Sequence, residues 1–410
     1  MFYIRQAACI SPQETFSETK IDLSQEYEPK DNKMKALEPS YPGIPQNILR
    51  RMAKAVRMGV GTALPLIRGA GAISGTPAAD HSVSGTPVAD HPVSGSSAAV
   101  DVGGPMPAGI IIGSANGGME ESVKFLKQIV EYKEEMLTPG NFVQSIPNAI
   151  SSQISLLSQN KGYNTTHVHR GLAFEYAVID AGMMLKEHPS ESYLVGGVDE
   201  IATYHYNLEY LKGSYKKEPL SGKRLYEVDS PGSIAGEGAA MFLVDNNKAG
   251  ASAKLQGIIT LHSEDEAAVT GLLQEFLNRH RAATGERPDL FLTGENGDAR
   301  IRHFYDACEA TLDQALQNTT TDNLVAGNIS PHSTSGNNII VARYKHMSGE
   351  YPTATAFALW IACQALSGLT LPLHMIKRPG PAGQKGIKNV LIYNNYKGRQ
   401  HSFMWVSAAE

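Results

Sequence analysis

Asn164-Thr165-Thr166-His167-Val168-His169-Arg170-Gly171 is the stretch of sequence that decides the fold. It ends a predicted strand, and the apolar periodicity that follows predicts a long amphipathic helix through about Lys186. Such a turn from strand to helix, here called the elbow, exposes one side chain and directs helix N–H groups toward it. This arrangement suits a nucleophile whose anion needs stabilising. The exposed position here is Val168, and an isopropyl group can neither attack nor ionise.

The overall composition is typical of a globular protein. The chain has 410 residues, 42% of them hydrophobic, which is enough for a large core. A formal net charge of −5 and the lack of basic runs give no sign of nucleic-acid binding. No apolar run approaches the roughly 20 residues that span a bilayer, and residues 1–12 lack the hydrophobic region of a signal peptide. We therefore expect a cytoplasmic protein.

Neither a cofactor nor a metal is predicted. Cys9, Cys308 and Cys363 are odd in number, widely spaced and without a CxxC pair, so they predict no disulfide framework and no zinc site. The glycine-rich residues 113–118 are only superficially similar to a dinucleotide-binding loop, because Ala115 breaks the G-x-G-x-x-G spacing.

Strands alternate with helices along most of the chain, which predicts an α/β protein with mostly parallel, buried sheets. The predicted strands are Ala108–Gly113, Ser192–Val198, Gly236–Val244, Lys254–Leu261, Asp289–Leu292, Asn389–Asn394 and Ser402–Val406. The predicted helices outside the elbow are Ile44–Ile67, Met119–Glu135, Gln144–Gln159, Glu264–Arg281, Arg300–Leu316 and Thr353–Leu366, with a turn at Pro139–Phe142. Because the series occurs before and after Asp245, we expect two similar halves, 1–246 and 247–410.

A segment of different composition interrupts the first half at about residues 69–105. It contains no Lys, Arg or aromatic residue and carries two near-copies of one octapeptide, at residues 74–81 and 84–91. Such a segment buries too little apolar area to offset its ordering entropy, so it is predicted to be a disordered insertion. Metal binding through His81 and His91 is the less favoured alternative, since no rigid ligand spacing exists.

Several segments, taken in order, resemble the β-ketoacyl synthases, the condensing enzymes of the thiolase fold. The matching pieces are Ile112–Gly118, Thr138–Phe142 with Asn148–Ala149, Gly171–Ala181, Leu194–Glu200, Gly236–Ala240, Lys345–Glu350 and the closing pair of strands. The resemblance implies a five-layer α-β-α-β-α architecture built from two similar halves.

The resemblance also implies where the reactive residues of the family would stand. Its cysteine falls at Val168, counting back from Gly171, and its first histidine at Glu295. Its lysine is retained as Lys345, but its second histidine is replaced by Glu350. Catalytically degenerate members of this kind are chain-length factors, which form a heterodimer with an active ketosynthase in fatty acid, polyene or polyketide biosynthesis. Acyl carrier protein would then dock on the active partner.

The chemistry of condensation agrees with this interpretation. A condensing enzyme needs a thiolate to accept an acyl group and neutral donors to stabilise an enolate. Ionised Glu295 and Glu350 can only accept hydrogen bonds, and they would repel a malonyl carboxylate. The two carboxyls could instead share a proton, one donating, but Lys345 favours ionisation. We therefore expect a salt bridge from Lys345 to a carboxylate, and Glu237 is a second candidate to pair with Lys345 or with an arginine.

Four further residues are candidates for substrate contacts, each with a structural alternative. His167 and His169 flank Val168 and could act as a base, or could be hydrogen-bonded locally. Arg170 opens a helix, where a cation is unfavourable unless it meets an anion. Phe142 could line a tunnel or simply pack.

Two other functions stay open from the sequence. One is an active acyltransferase or decarboxylase of the same fold that uses non-standard residues. The other is a purely structural homodimer.

Overall fold

The structure is a computed structural model that describes residues 1–16, 21–24, 27–41, 43–68, 106–325, 339–381 and 386–409. The predicted disordered insertion at about 69–105, with His81 and His91, lies outside the described residues.

The strands are assigned as follows. They are β1 (Phe2–Ile10), β2 (Lys33–Met34), β3 (Gly109–Gly113), β4 (Tyr163–His167), β5 (Ser192–Asp199), β6 (Ala235–Gly236), β7 (Gly238–Asp245), β8 (Ala253–His262), β9 (Leu290–Thr293), β10 (Ile340–Arg343), β11 (Ile376–Arg378), β12 (Asn389–Tyr396) and β13 (Gln400–Ser407).

The helices run between and over these strands. They are α1 (Gln46–Leu49), α2 (Lys54–Arg68), α3 (Met119–Glu131), α4 (Pro139–Ser145), α5 (Ala149–Ser158), α6 (Ala173–Glu187), α7 (Thr203–Leu211), α8 (Glu266–Thr284), α9 (Arg302–Val325), α10 (Lys345–Ser348) and α11 (Thr355–Leu366), with short 3-10 turns at Arg170–Leu172, Gly222–Arg224 and Leu373–Met375.

The strand pairing repeats, which confirms the two similar halves. The order is β11-β10-β9-β12-β13-β8-β1-β7-β5-β3-β4, and β2 pairs separately with β6. In the first half β1 and β5 flank β7 antiparallel, while β3 lies parallel between β5 and β4. In the second half β8 and β12 flank β13 antiparallel, while β9 lies parallel between β12 and β10. A short pairing of β1 with β8 joins the halves. The division at residue 246/247 falls between β7 and β8 and stays a prediction.

Side chains alternate between the two faces along each strand, and this alternation produces the five layers. Ile110 and Ile112 of β3 pack with α2 and α5 on one side, whereas Ile111 packs with α6 on the other. In the second half Leu290 and Leu292 face the layer that holds α6 and α11, and Phe291 faces outward with α8 and α9. Helix α11 is buried almost all round, as a helix packed between the two halves of the sheet must be.

Three expectations about local structure are wrong. The sheet is mixed rather than mostly parallel, because β7 and β13 run antiparallel to both neighbours. The expected turn at Pro139–Phe142 is the start of α4, with Pro139 in the first turn, where its missing N–H costs nothing. The expected helix Ile44–Ile67 is two helices, because the chain breaks at residues 50–53.

Candidate functional site

The elbow after β4 is present as predicted. His167 ends the strand, the 3-10 turn Arg170–Leu172 follows, and α6 begins at Ala173. The Gly171 N–H donates to Gln400 Oε1 at 2.9 Å, and the Tyr396 side chain occupies the space where a Cβ on Gly171 would stand. A glycine is therefore required for the closing strands to pack against the elbow.

Val168 stands at the exposed position of this elbow, with 52% of its surface accessible. It follows β4, which lies at the end of the strand order. Val168 is therefore an exposed residue beside the edge strand, and it does not line the cavity described below.

The polar neighbours of Val168 have local roles. His167 Nε2 lies 2.8 Å from Asp180 Oδ2, which also accepts from the Tyr163 hydroxyl at 3.1 Å. The exposed His169 ring meets the Tyr176 ring edge-on, with centroids 4.8 Å apart. Arg170 is exposed, with a φ of +50°, and has no ion-pair partner within the described part of the chain. None of the three flanking residues lines the cavity described below.

The expected buried ion pair is formed by Lys345 and Glu350. Lys345 Nζ donates to Glu350 Oε1 at 2.9 Å, and Asn296 Nδ2 donates to Glu350 Oε2 at 2.7 Å. Lys345 is completely buried and Glu350 is 9% exposed. The pair forms because Gly349, with a φ of +68° that disfavours other residues, turns the chain back after α10. Both oxygens of Glu350 are therefore occupied by donors of this chain.

Glu295 belongs to a different network. Its carboxylate accepts from Lys377 at 2.9 Å and from Arg343 at 3.4 Å, and Lys377 also donates to Glu309 at 2.6 Å. Glu295 and Glu350 therefore do not share a proton. In the loop after β9, the residue that contacts Glu350 is Asn296, one position beyond Glu295, which the sequence had indicated.

Two other buried carboxyls lie near this site. Burial raises the pKa of Glu175 to about 7, although Ser402 Oγ donates to Glu175 Oε1 at 2.8 Å and Lys345 acts in the opposite direction. Glu237 is buried as expected, but the expected pairing with Lys345 or an arginine is wrong. Its partner is Lys54, and it also accepts from the backbone N–H of Ile201 at 2.9 Å.

A cavity of about 250 Å³ opens beside the Lys345–Glu350 pair. Its walls come from the loops that follow β3, β5, β9 and α10, from α7 and the segment after it, and from the turn between β12 and β13. The lining residues include Asn116, Glu200, His205, Tyr206, Tyr215, Asn296, Asp298, Arg300, Glu350, Tyr351, Tyr396 and Lys397. Val168 and Phe142 do not line it. Phe142 is exposed on α4, and its ring packs against Phe125 with centroids 5.3 Å apart.

Sequence reasoning missed the aromatic wall of this cavity. Tyr206 and Tyr215 stack with centroids 5.0 Å apart, and Lys397 reaches from the closing turn to pair with Glu209 on α7. Positively charged Lys397, Lys212 and the Ser214 hydroxyl lower the pKa of Glu209 to about 2, against the opposing effect of burial. These residues form no motif along the chain, although the density of tyrosines from 204 to 215 was a usable signal.

The three cysteine thiols are not placed to act as nucleophiles. Cys9, Cys308 and Cys363 are all buried, and burial raises the pKa of each to about 12. Among the described residues, no group of three or more His, Cys, Asp or Glu side chains is placed to hold a metal ion. None of the helices in the described ranges has the length and hydrophobicity that a membrane span requires.

Residues 97–216 match the family model for the N-terminal domain of β-ketoacyl synthase. This part of the chain is ketosynthase-like. Sequence comparison with curated proteins finds no match.

Solved structures with the same fold cover nearly the whole chain. One is a type II polyketide synthase acyl carrier protein in complex with its ketosynthase (TM-score 0.63, 13% identity, 99% of each chain). The second is a β-ketoacyl synthase from Burkholderia phymatum STM815 (TM-score 0.64, 12% identity, 99% of each chain). The third is the ishigamide ketosynthase/chain length factor (TM-score 0.62, 12% identity, 99% of each chain). At these identities the likeness shows the thiolase-like ketosynthase fold.

Proposed function

We propose that this chain is a non-condensing, ketosynthase-like subunit of the chain-length-factor type. It pairs with an active ketosynthase in fatty acid, polyene or polyketide biosynthesis, and is not catalytic alone. The observation that carries the proposal is Val168 at the exposed position of the elbow, where acyl transfer needs a sulfur nucleophile. A hydrocarbon side chain at this position cannot form a thioester.

The polar residues around Glu350 support the same conclusion. A condensing site must offer free donors to the oxygen of a developing enolate. Here Lys345 and Asn296 donate to Glu350 itself, so the charge of Lys345 is matched within the chain and the Asn296 amide already has an acceptor. At the position where the family resemblance implies a histidine donor, this chain has Glu350, which is the acceptor of an internal ion pair.

No cysteine of the chain offers a replacement nucleophile. Cys9, Cys308 and Cys363 are buried, with the pKa of each raised to about 12. Their thiolate fraction at neutral pH is negligible, and the thiolate is the reactive form.

Two features support a ketosynthase as the partner. Matched structures of this fold include a ketosynthase/chain length factor and an acyl carrier protein bound to its ketosynthase. In addition, the outer edge of β4 has no strand partner in the described residues, and an unpaired edge is a template for a strand from another subunit. Acyl carrier protein docks on the partner, which holds the cysteine, and a cytoplasmic location remains part of the proposal.

The test compares the lone chain with the chain co-expressed with a cysteine-bearing ketosynthase of the same organism. Each preparation is incubated with acyl-loaded and malonyl-loaded acyl carrier protein, and intact-protein mass spectrometry and carbon dioxide release are measured. We expect no acylation or carbon dioxide release from the lone chain, and co-purification with acylation confined to the partner. An acyl adduct on the lone chain contradicts the proposal.

The competing function is an active acyltransferase or decarboxylase that uses non-standard residues. The open cavity beside Glu350 and Asn296 is the observation that favours it. Release of carbon dioxide by the lone chain, lost in Glu350→Gln, selects this function. A stable lone homodimer that never captures a ketosynthase selects the purely structural one.

A further inference from the structure

Lys216 is a buried lysine whose partners in the described chain are all neutral oxygens. It follows α7 and is 1% exposed. Its Nζ lies 2.9 Å from the Ser230 carbonyl oxygen, 2.9 Å from that of Gly297, 3.0 Å from the Ser230 hydroxyl and 3.3 Å from the Val228 carbonyl oxygen. We call these oxygens the cage. Lys345 is equally buried but is paired with a carboxylate, so the cage is a different way to hold a buried ammonium group.

The cage has the composition of a monovalent-cation site. Three backbone carbonyls and one hydroxyl converge on one point, as carbonyl oxygens do around a potassium ion that has lost its water. An ammonium group has three N–H bonds and cannot direct one at each of these oxygens, whereas a spherical ion contacts all of them. Because ammonium and potassium ions are similar in size and equal in charge, the same oxygens suit both.

The cage joins segments that share little apolar packing. It connects Lys216 to residues 228–230 and to the loop after β9, where backbone bonds are few. The Lys216 N–H donates to the Ser233 carbonyl at 2.9 Å, and the Ala299 N–H donates to the Ser230 carbonyl at 3.2 Å. The buried apolar residues of this region form a small cluster of their own, Met34, Leu220, Leu225 and Ile234. The charge at the centre of the cage therefore contributes a large share of the attachment between these segments.

The cage also supports the wall of the cavity. Gly297, whose carbonyl belongs to the cage, stands between Asn296 and Asp298, which both line the cavity. The Ser233 hydroxyl donates to the Asn296 carbonyl at 2.6 Å, and the Asn296 side chain donates to Glu350. The ammonium group of Lys216 therefore fixes the backbone from which Asn296 reaches Glu350.

We propose that the cage is a monovalent-cation site whose cation is the ammonium group of Lys216, and that this internal cation holds the loop after β9 in the cavity wall. The inference goes beyond the proposed function and does not depend on it. It has a direct consequence, because a free potassium ion should be able to occupy the cage once the lysine side chain is removed.

The test is the melting temperature of Lys216→Ala in two salts. In choline chloride, whose cation is too large for the cage, the variant should melt below the wild type. In potassium chloride at the same concentration it should regain at least half of the loss, and the gain should follow a binding curve in potassium. The wild type should melt alike in both salts, because its cage is filled. Hydrogen exchange should locate the effect, with residues 228–233 and 296–299 protected again by potassium.

Two variants serve as controls. Lys216→Met removes the charge but keeps most of the side-chain stem, which blocks the space that the ion would need, so potassium should not restore its melting temperature. Lys212→Ala removes an exposed lysine from the end of α7 and should melt like the wild type in both salts.

Equal melting of Lys216→Ala in the two salts overturns the inference, and so does equal recovery of Lys216→Met, which is a general salt effect. Protection by potassium outside the two segments indicates an adventitious ion only and also overturns it. If Lys216→Ala does not fold in choline chloride, its refolding from urea is compared in the two salts. Folded protein in potassium chloride alone supports the inference, and no folded protein in either salt overturns it. The pairing of the chain with a ketosynthase is tested separately and is unaffected by these outcomes.

Discussion

The buried Lys345–Glu350 pair allows a quantitative test, through Glu350→Ala. This change leaves the Lys345 ammonium, which is completely buried, without its carboxylate, and it removes the acceptor of the Asn296 side chain. A lost hydrogen bond to a charged group costs about 1.5–3 kcal/mol, and an unsatisfied buried donor about 1–3 kcal/mol. We therefore expect the free energy of unfolding to fall by about 3–5 kcal/mol, the range for breaking a buried pair from one side.

The assay is urea unfolding, followed both by far-UV circular dichroism and by the fluorescence of Trp360 and Trp405, since coincident transitions are needed before a free energy is extracted. The double variant Lys345→Met with Glu350→Leu removes both charges and should recover at least half of the loss. The matched control is Glu275→Ala, which removes an exposed partner of Arg279 and should change the free energy by less than about 1 kcal/mol.

Because Glu350 serves the ion pair and not the reaction, the folded Glu350→Ala variant should leave product formation by the ketosynthase complex intact. Loss of product with unchanged stability and assembly would refute the structural role. A variant as stable as the wild type would refute the energetic estimate.

Three further predictions follow from single positions. In the folded state burial raises the pKa of Glu175 to about 7, against 4.5 ordinarily, so the folded state holds a proton that the unfolded chain releases. The contribution of this group to the free energy of unfolding is fully present below pH 4.5 and is lost as the pH rises through 7. The variant Glu175→Gln should therefore gain stability relative to the wild type between pH 5 and pH 8, by at most roughly 3 kcal/mol. Urea titrations of both proteins at the two pH values measure this difference. Val168→Cys should be alkylated rapidly by iodoacetamide but should form no condensation product above the wild-type level, because Glu350 still lacks donor capacity. Gly113→Ala should lower the melting temperature, since its Cβ would stand 2.5 Å from the Ala173 carbonyl, whereas Gly140→Ala, which meets nothing within 4 Å, should not.

Much of the architecture could be predicted from periodicity. The predicted bounds of β5, β8 and β12 agree with the structure to within two residues, because these strands are bounded by turn residues. Strand β1 was missed, since Arg5 and Gln6 interrupt its apolar pattern. Arg5 reaches out to Asp245 and leaves the rest of the strand free to pair.

The site could be predicted only in part. The family resemblance placed Lys345 and Glu350 in one pocket, and a buried lysine needs an anion, so the pair could be predicted. The position of Asn296 beside Glu350 depends on how two loops 54 residues apart meet, which no local pattern encodes. For the same reason Glu295 was grouped with Glu350 from the sequence, whereas the structure pairs it with Lys377 and Arg343.

Strand β1 has a consequence for the synthesis of this chain. Its residues pair with strands that lie about 230–250 positions later, on both of its sides. At a translation rate of about 5–20 residues per second, β1 waits on the order of 10–50 s on the ribosome before either neighbour emerges. During that interval a nascent strand with two bare edges invites aggregation, so we expect the growing polypeptide to need a chaperone until the second half appears.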